Sequence, residues 1–176
     1  MRKGYTMKPR FLIAPLAAAL LLGTGAASAL TESELQVVQK AAEEYAASLP
    51  AANNYDVTAE DVAARIKGGK DDFVIVDVRV PKDKKYDLGH VPGAMFIPVA
   101  EIAKPESLAK LPKAKDIIVY CDTGQQQSKA ITMLRMMGYN AYGMRWGYMS
   151  WSTAPATQLT LDAIGGSITK GYPVAR

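Results

Sequence analysis

The residue of this 176-residue chain best suited to covalent chemistry is its single cysteine, Cys121. It stands in the segment VYCDTGQQQS, directly after an apolar run and before a polar stretch in which Gly124 allows a tight turn. A thiol between a strand and a helix lies among backbone N–H groups and near a helix N-terminus, and this environment favours the nucleophilic thiolate. The same position would also suit a cysteine that is only a small buried hydrophobe. We favour a reactive thiol because a polar loop and a helix start follow it directly.

Hydrophobic patterning predicts an α/β fold that would place Cys121 at the edge of a sheet. Continuous β-branched runs predict strands covered on both faces, at 73–80, 94–99 and 116–121, with a further strand at 140–144. Helical patterns lie beside them at 58–68, 106–111 and 127–137. Strands that alternate with helices indicate a central parallel sheet flanked by helices on both faces. In such folds ligands bind at the carboxyl ends of the strands, where Cys121 is expected.

The two ends of the predicted sheet domain carry additional segments. Thr31 to Glu34 has the pattern of a capping box and begins a helix expected to reach Ser48. The apolar residues of that helix fall along one face; they are Leu35, Val38, Ala42 and Tyr45. We expect the tail, residues 153–176, to wrap over the domain, with a candidate edge strand in the final YPVAR.

Three segments resemble the rhodanese family of single-domain sulfurtransferases. They are VDVRVPKDKKYDLGHVPGAMFIP, IIVYCDTG and MRWGYMSW, and the resemblance extends over about residues 56–151. It implies a rhodanese-like domain at 56–152 after an N-terminal helical extension at 30–55. It also implies that Cys121 is the catalytic nucleophile and begins a six-residue loop that binds the substrate. The residues after Cys121 that are expected to bind the substrate are Asp122, Thr123, Gly124, Gln125, Gln126 and Gln127.

Two departures from the family pattern concern the substrate. Many active members have an arginine where this chain has Gln126, so a fixed charge that could grip an anionic substrate is replaced by a neutral amide. Trp146 replaces the first glycine of the closing motif and lies beside Arg145. One interpretation is that Trp146 forms a wall of the pocket and Arg145 supplies the missing charge. The other is that Trp146 packs in the core and Arg145 is solvated.

Three further polar residues in the resembling segments are expected to support the fold. His90, the lone histidine, precedes a proline turn, and its family position braces the structure. Asp77 and Arg79 are expected to hold loops through hydrogen bonds. One cysteine and one histidine do not make a metal-ligand set, so we expect neither a metal nor an organic cofactor.

Residues 1–29 have the features of a secretory signal peptide. Basic residues precede the 12-residue apolar stretch FLIAPLAAALLL, and Ala27-Ser28-Ala29 forms a cleavage site. Removing the four basic residues of this segment from the chain's 21 leaves 17, equal to the 17 acidic residues. The mature protein would be formally neutral, which does not favour nucleic acid as a partner. We expect a periplasmic protein that is not inserted in the membrane after cleavage.

The predicted activity is sulfur transfer through a persulfide on Cys121. The donor would be thiosulfate, a polysulfide or a persulfide, and the acceptor a small thiophile, a periplasmic thiol or a sulfur-carrier protein. A catalytically silent binding module with the same fold is the main alternative, because the glutamine run could reflect a loop released from catalysis. A phosphatase or arsenate reductase is disfavoured, because residues 122–128 contain no arginine to hold a tetrahedral dianion.

Overall fold

The computed structural model describes residues 30–81 and 84–165, which form an α/β fold. The helices are α1 (Glu32–Ser48), α2 (Ala59–Lys67), α3 (Lys85–Leu88), α4 (Pro105–Leu108), α5 (Gln125–Met136) and α6 (Pro155–Gly165). The strands are β1 (Asp56–Val57), β2 (Phe73–Asp77), β3 (Met95–Phe96), β4 (Asp116–Tyr120) and β5 (Ala141–Met144). Short 3-10 helices occupy Asn53–Tyr55, Val99–Glu101 and Gly147–Ser150.

The five strands form one parallel sheet in the order β1-β5-β4-β2-β3. β2 and β4 pair along their whole length, from Phe73 opposite Asp116 to Asp77 opposite Tyr120. The predicted central parallel sheet is therefore confirmed. β2 ends at Asp77, before its predicted boundary at residue 80. The β-branched sequence continues to Val80, but Asp77 is the last residue paired in the ladder with β4.

Helices cover both faces of the sheet. On one face, Ile117 and Val119 of β4 pack with residues of α5 such as Leu134. On the other face, Ile118 of the same strand packs with Val62 of α2. Successive residues of β4 thus enter opposite cores, which explains why the whole run is apolar.

The N-terminal helix is present, but only its second half is packed. The predicted capping box is formed. The Thr31 hydroxyl accepts a hydrogen bond from the N–H of Glu34, and the Glu34 carboxylate accepts one from the N–H of Thr31. Tyr45 stacks on Tyr55 with ring centroids 5.9 Å apart. Leu35 and Val38 of the predicted apolar face remain 47% and 43% exposed. They are uncovered because α1 meets α5 through its second half.

The expected wrapping tail contains a helix that sequence patterning did not predict. α6 packs on the α2 side of the sheet and buries Ala156 and Thr160. The candidate edge strand at 172–176 lies outside the described residues, as does the 1–29 segment. Within the described ranges, no helix has both the length and the apolar character needed to cross a membrane.

Candidate active site

Cys121 directly follows β4, and its side chain lies at the N-terminus of α5. The residue is only 2% exposed, and its Sγ accepts a hydrogen bond from the N–H of Gly124 at 3.2 Å. Gly124 has φ +116° and caps α5, and a glycine tolerates this conformation best. The helix begins at Gln125, so the expected substrate-binding residues 122–127 consist of three loop residues and the first turn of α5.

The first turn of α5 contributes positive partial charge next to the sulfur. The N–H groups of Gln125, Gln126 and Gln127 have no acceptor within the helix, because the first N–H groups of any α-helix lack one. With twelve residues, α5 is long enough to develop a dipole whose positive end lies at this terminus. The positive end of α5 therefore lies where a negatively charged sulfur attached to Cys121 would be placed.

The side chain of Gln127 braces the loop. It is buried, its Oε1 accepts from the N–H of Cys121 at 3.1 Å, and its Nε2 donates to the carbonyl of Met144 at 2.8 Å. These bonds join the end of β4 to the end of β5. The side-chain amide of Gln127 is thus already engaged within the protein, and only its backbone N–H belongs to the first turn of α5.

The segment after β5 packs against the peptide unit of Cys121. The N–H of Tyr148 donates to the Cys121 carbonyl at 2.7 Å, and the N–H of Met149 donates to the Asp122 carbonyl at 3.2 Å. Gly147 has φ +59°, and a Cβ there would clash with the backbone of Cys121 and Asp122. The residue at this position must therefore be small for the two segments to approach each other.

Trp146 and Arg145 line an open recess of about 440 Å³ beside the cysteine loop. The remaining residues of its lining are Asp56, Thr123, Gly124, Gln125, Gln127 and Ser128. Trp146 is 68% exposed, so it is not a core residue, and its φ of +64° is unfavourable for a side chain of this size. Arg145 is half-exposed, with its Nε 3.7 Å from a carboxylate oxygen of Asp56.

Gln126 lines a different recess. Its neighbours there include Val99, Lys129 and Met133, and the Lys129 ammonium donates to its Oε1 at 3.3 Å. Gln125 and Gln126 are adjacent in sequence, but they lie at separate surfaces of the loop. The position matched to the family arginine is therefore not beside Arg145 and Trp146.

Sequence patterning did not identify two residues that contact the loop residue Asp122. Lys85 Nζ lies 3.1 Å from Asp122 Oδ2 and 3.1 Å from the hydroxyl of Thr160, and that hydroxyl is 3.3 Å from Asp122 Oδ1. Lys85 belongs to a charged run that resembles an ordinary solvated segment. Thr160 lies outside the resembling segments, so neither carries a local pattern that points to the site.

Asp77 and Arg79 form a buried ion pair beneath the carboxyl edge of the sheet. Arg79 Nε lies 3.0 and 2.9 Å from the two Asp77 carboxylate oxygens, and Nη2 donates to the carbonyl of Gly89 at 2.6 Å. Burial alone would lower the pKa of Arg79, but the hydrogen bonds and charge of Asp77 outweigh it and raise that pKa above its ordinary value. Through the Gly89 carbonyl, the pair connects the end of β2 to the segment that precedes His90.

His90 is engaged with its own segment. Its ring stacks on Tyr86 with centroids 3.9 Å apart, and its Nδ1 lies 3.0 Å from the Tyr86 carbonyl, to which it donates. Both contacts are to a residue four positions earlier, so they stabilise the local turn of the chain. No group of three histidine, cysteine, aspartate or glutamate side chains that could hold a metal occurs among the described residues.

Comparison with known proteins identifies the family. The family model of the rhodanese-like domain matches residues 58–154, more than half of the chain. The chain belongs to the rhodanese-like family. Its rhodanese-like domain thus includes Cys121, the α5 terminus and the segment of Trp146, whereas α6 lies beyond the matched residues.

Several relatives of this rhodanese-like protein are named sulfurtransferases. A sulfurtransferase of Allochromatium vinosum is 26% identical over 55% of this chain and 87% of its own length. The thiosulfate sulfurtransferase PspE of Escherichia coli is 38% identical over 40% of this chain and 69% of its own length. The probable adenylyltransferase/sulfurtransferase MoeZ of Mycobacterium tuberculosis is 29% identical over 58% of this chain, but the match spans only 26% of MoeZ. The names of these relatives support sulfurtransferase activity at the level of the family.

Solved structures show the same fold. The BH2092 protein of Bacillus halodurans is 27% identical, with a TM-score of 0.51 over 64% of this chain and 79% of its own. A full-length protein from Lactobacillus plantarum is 22% identical, with a TM-score of 0.52 over 62% of this chain and 90% of its own. The second likeness concerns the fold alone.

Proposed function

We propose that this protein is a sulfurtransferase that carries sulfane sulfur as a persulfide on Cys121. The Cys121 thiolate attacks the outer sulfur of a donor such as thiosulfate and forms a new S–S bond. The bond between the donor's two sulfur atoms breaks, and sulfite leaves with its electron pair. An acceptor such as cyanide or a thiolate then takes the terminal sulfur, and the Cys121 thiolate is regenerated.

The observation that carries the proposal is the position of the Cys121 sulfur at the N-terminus of α5. The N–H of Gly124 points at Sγ, and the first-turn N–H groups and the helix dipole add favourable charge. These groups favour the thiolate before attack and the anionic terminal sulfur after it. Since they belong to the protein, the two-step transfer needs no metal or organic cofactor.

The recess lined by Trp146 is the proposed donor site. Arg145 is its single cationic lining residue among those described, and it already lies near the Asp56 carboxylate. A loosely paired guanidinium provides a weaker grip on a sulfonate-like group than a free bidentate one. Polysulfides and organic persulfides, which present less oxyanion, are therefore expected to compete well with thiosulfate.

Intact-mass spectrometry tests the proposal directly. The protein is incubated with thiosulfate or with polysulfide, desalted and weighed, and Cys121→Ser is treated in parallel. We expect one added sulfur atom on the wild type, none on Cys121→Ser, and stoichiometric thiocyanate when cyanide is added to the loaded protein. A folded wild type that gains no sulfur from either donor would contradict the proposal and favour the silent binding module.

We also propose that the protein acts in the periplasm, with a periplasmic thiol or sulfur-carrier protein as a candidate acceptor. The basic, apolar and small-residue order of 1–29 supports export. Periplasmic extracts of a bacterial host that expresses the full chain should contain a form beginning at Leu30. Recovery of only full-length protein in the cytoplasm would contradict this proposal.

A further inference from the structure

The carboxylate of Asp122 lies next to the nucleophile in the chain and is only partly exposed. Its two oxygens are each engaged, Oδ2 with the ammonium of Lys85 at 3.1 Å and Oδ1 with the hydroxyl of Thr160 at 3.3 Å. Lys85 is 13% exposed and Asp122 is 21% exposed at their side chains, so solvent screens this ion pair less than it screens most surface pairs.

An uncompensated carboxylate at this position would oppose the chemistry of Cys121. A negative charge next to the sulfur disfavours the thiolate and any anionic sulfur attached to it. Asp122 also raises the pKa of the buried Arg79, although burial, Asp77 and Tyr120 have larger effects on it. Lys85 and Thr160, the partners of Asp122, therefore influence how strongly its negative charge acts on the Cys121 sulfur.

We infer that Lys85 and Thr160 are positioning residues, which neutralise Asp122 and fix its direction so that the loop can hold an anionic sulfur on Cys121. This inference adds Lys85 and Thr160 to the proposed active site. Their effect on the Cys121 thiolate is independent of the proposed function, and only their role in sulfur transfer rests on it. Lys85 lies at the start of α3, and Thr160 lies in α6, beyond the residues matched by the family model. A helix outside the family domain thus contributes to the environment of the nucleophile.

The contacts of Thr160 explain how α6 is held against the loop. Thr160 is 5% exposed, and its hydroxyl accepts from Lys85 while it donates to Asp122 or to the carbonyl of Ala156 at 3.1 Å. Valine has nearly the same shape but lacks the hydroxyl, whereas serine retains it. The pair of substitutions therefore separates the hydrogen bonds from the packing.

The test measures the rate at which iodoacetamide alkylates the single cysteine. The reagent is neutral, so changes in the protein's charge do not steer it, and only Cys121 can supply the thiolate. Lys85→Met should lower the rate at pH 7 by about threefold or more, the scale of a partly screened charge on the residue next to the nucleophile. Lys85→Arg and Thr160→Ser should stay near the wild-type rate, and Thr160→Val should lie between wild type and Lys85→Met.

A double-mutant cycle shows whether Lys85 acts through Asp122. Asp122→Asn should react at least as fast as wild type, and adding Lys85→Met to it should cause no further loss. A Lys85→Met protein that reacts at the wild-type rate would overturn the inference. An equal loss in the Asp122→Asn background would also overturn it, since Lys85 would then act on the sulfur directly or through the fold.

Thermal unfolding of each variant checks that the compared proteins are folded. Should Lys85→Met fail to fold, Thr160→Val against Thr160→Ser provides the same comparison. Sulfur loading from polysulfide is measured on the same samples. If the alkylation rates follow the double-mutant cycle but no sulfur is loaded, this inference is supported and the proposed function is contradicted. The two failures are therefore distinguishable.

Discussion

The backbone N–H of Tyr148 donates a hydrogen bond to the carbonyl oxygen of Cys121 across 2.7 Å. Because of this bond, the nucleophile is held by its own peptide unit against a segment 27 positions away in the chain. Gly147 and Gln127 support the same junction, one by its small size and the other by its side-chain amide.

Gly147→Ala should lower the free energy of unfolding by about 2 kcal/mol or more and abolish sulfur loading. The alanine Cβ would clash with the backbone of Cys121 and Asp122, and the backbone of an alanine held at φ +59° would be strained. Chemical denaturation and the mass assay measure the two effects. Gly69→Ala is the matched control, because Gly69 has φ +62° with open space around its Cβ. An equal loss of stability in both variants would show that the clash with the cysteine loop is unimportant.

Gln127→Leu should destabilise the protein by about 2–4 kcal/mol, because it leaves the N–H of Cys121 and the carbonyl of Met144 buried without their partner. Denaturant titration measures the change. The same substitution at Gln125, which is exposed, should cost less than about 0.5 kcal/mol. Similar losses at the two positions would contradict the bracing role of Gln127.

Trp146→Gly should raise the KM for polysulfide about three- to tenfold with little change in kcat, since an aromatic contact contributes about 0.5–1.5 kcal/mol. Stability should stay equal or rise by up to about 1 kcal/mol, because glycine relieves the backbone strain at φ +64° and the lost indole is mostly exposed. Trp146→Ala should lose the same affinity without the gain in stability. A destabilised Trp146→Gly with an unchanged KM would instead assign Trp146 a packing role.

An arginine at position 125 should improve the use of thiosulfate more than an arginine at position 126. Gln125 lines the recess of Trp146, whereas Gln126 lies beside Val99 and Met133. Gln125→Arg should lower the thiosulfate KM by about tenfold if the new contact supplies about 1.4 kcal/mol, with little effect on polysulfide.

Gln126→Arg adds the same charge at the other recess and is the control for charge alone. Both variants are compared with both donors at one ionic strength, because salt screens the new charge. A larger improvement at position 126 would place the donor in the recess of Val99 and overturn the site assigned to Trp146.

The sequence predicted the structure best where a residue pattern was compatible with only one arrangement of strands and helices. The β-branched runs of β2 and β4 require a sheet covered on both faces, and that sheet places Cys121 at its carboxyl edge. Two-residue β1 has no periodicity to detect, so it was missed. The contact of Thr160 with Asp122 joins residues 38 positions apart, and local patterning cannot reveal it. The amphipathic pattern of α1 likewise predicted the helix but could not show that Leu35 would lack a covering element.

The burial of Cys121 at 2% exposure has a consequence for regiochemistry. A protein persulfide contains two sulfur atoms that a thiolate can attack, and the products differ. Attack on the outer atom transfers sulfane sulfur, whereas attack on the inner atom forms a mixed disulfide and releases hydrosulfide. The outer atom would lie one S–S bond, about 2 Å, beyond Sγ, while the cysteine loop and the start of α5 enclose Sγ itself. The fold would therefore direct an incoming thiol to the atom whose attack passes the sulfur on, and protect the protein from being capped by its own acceptor.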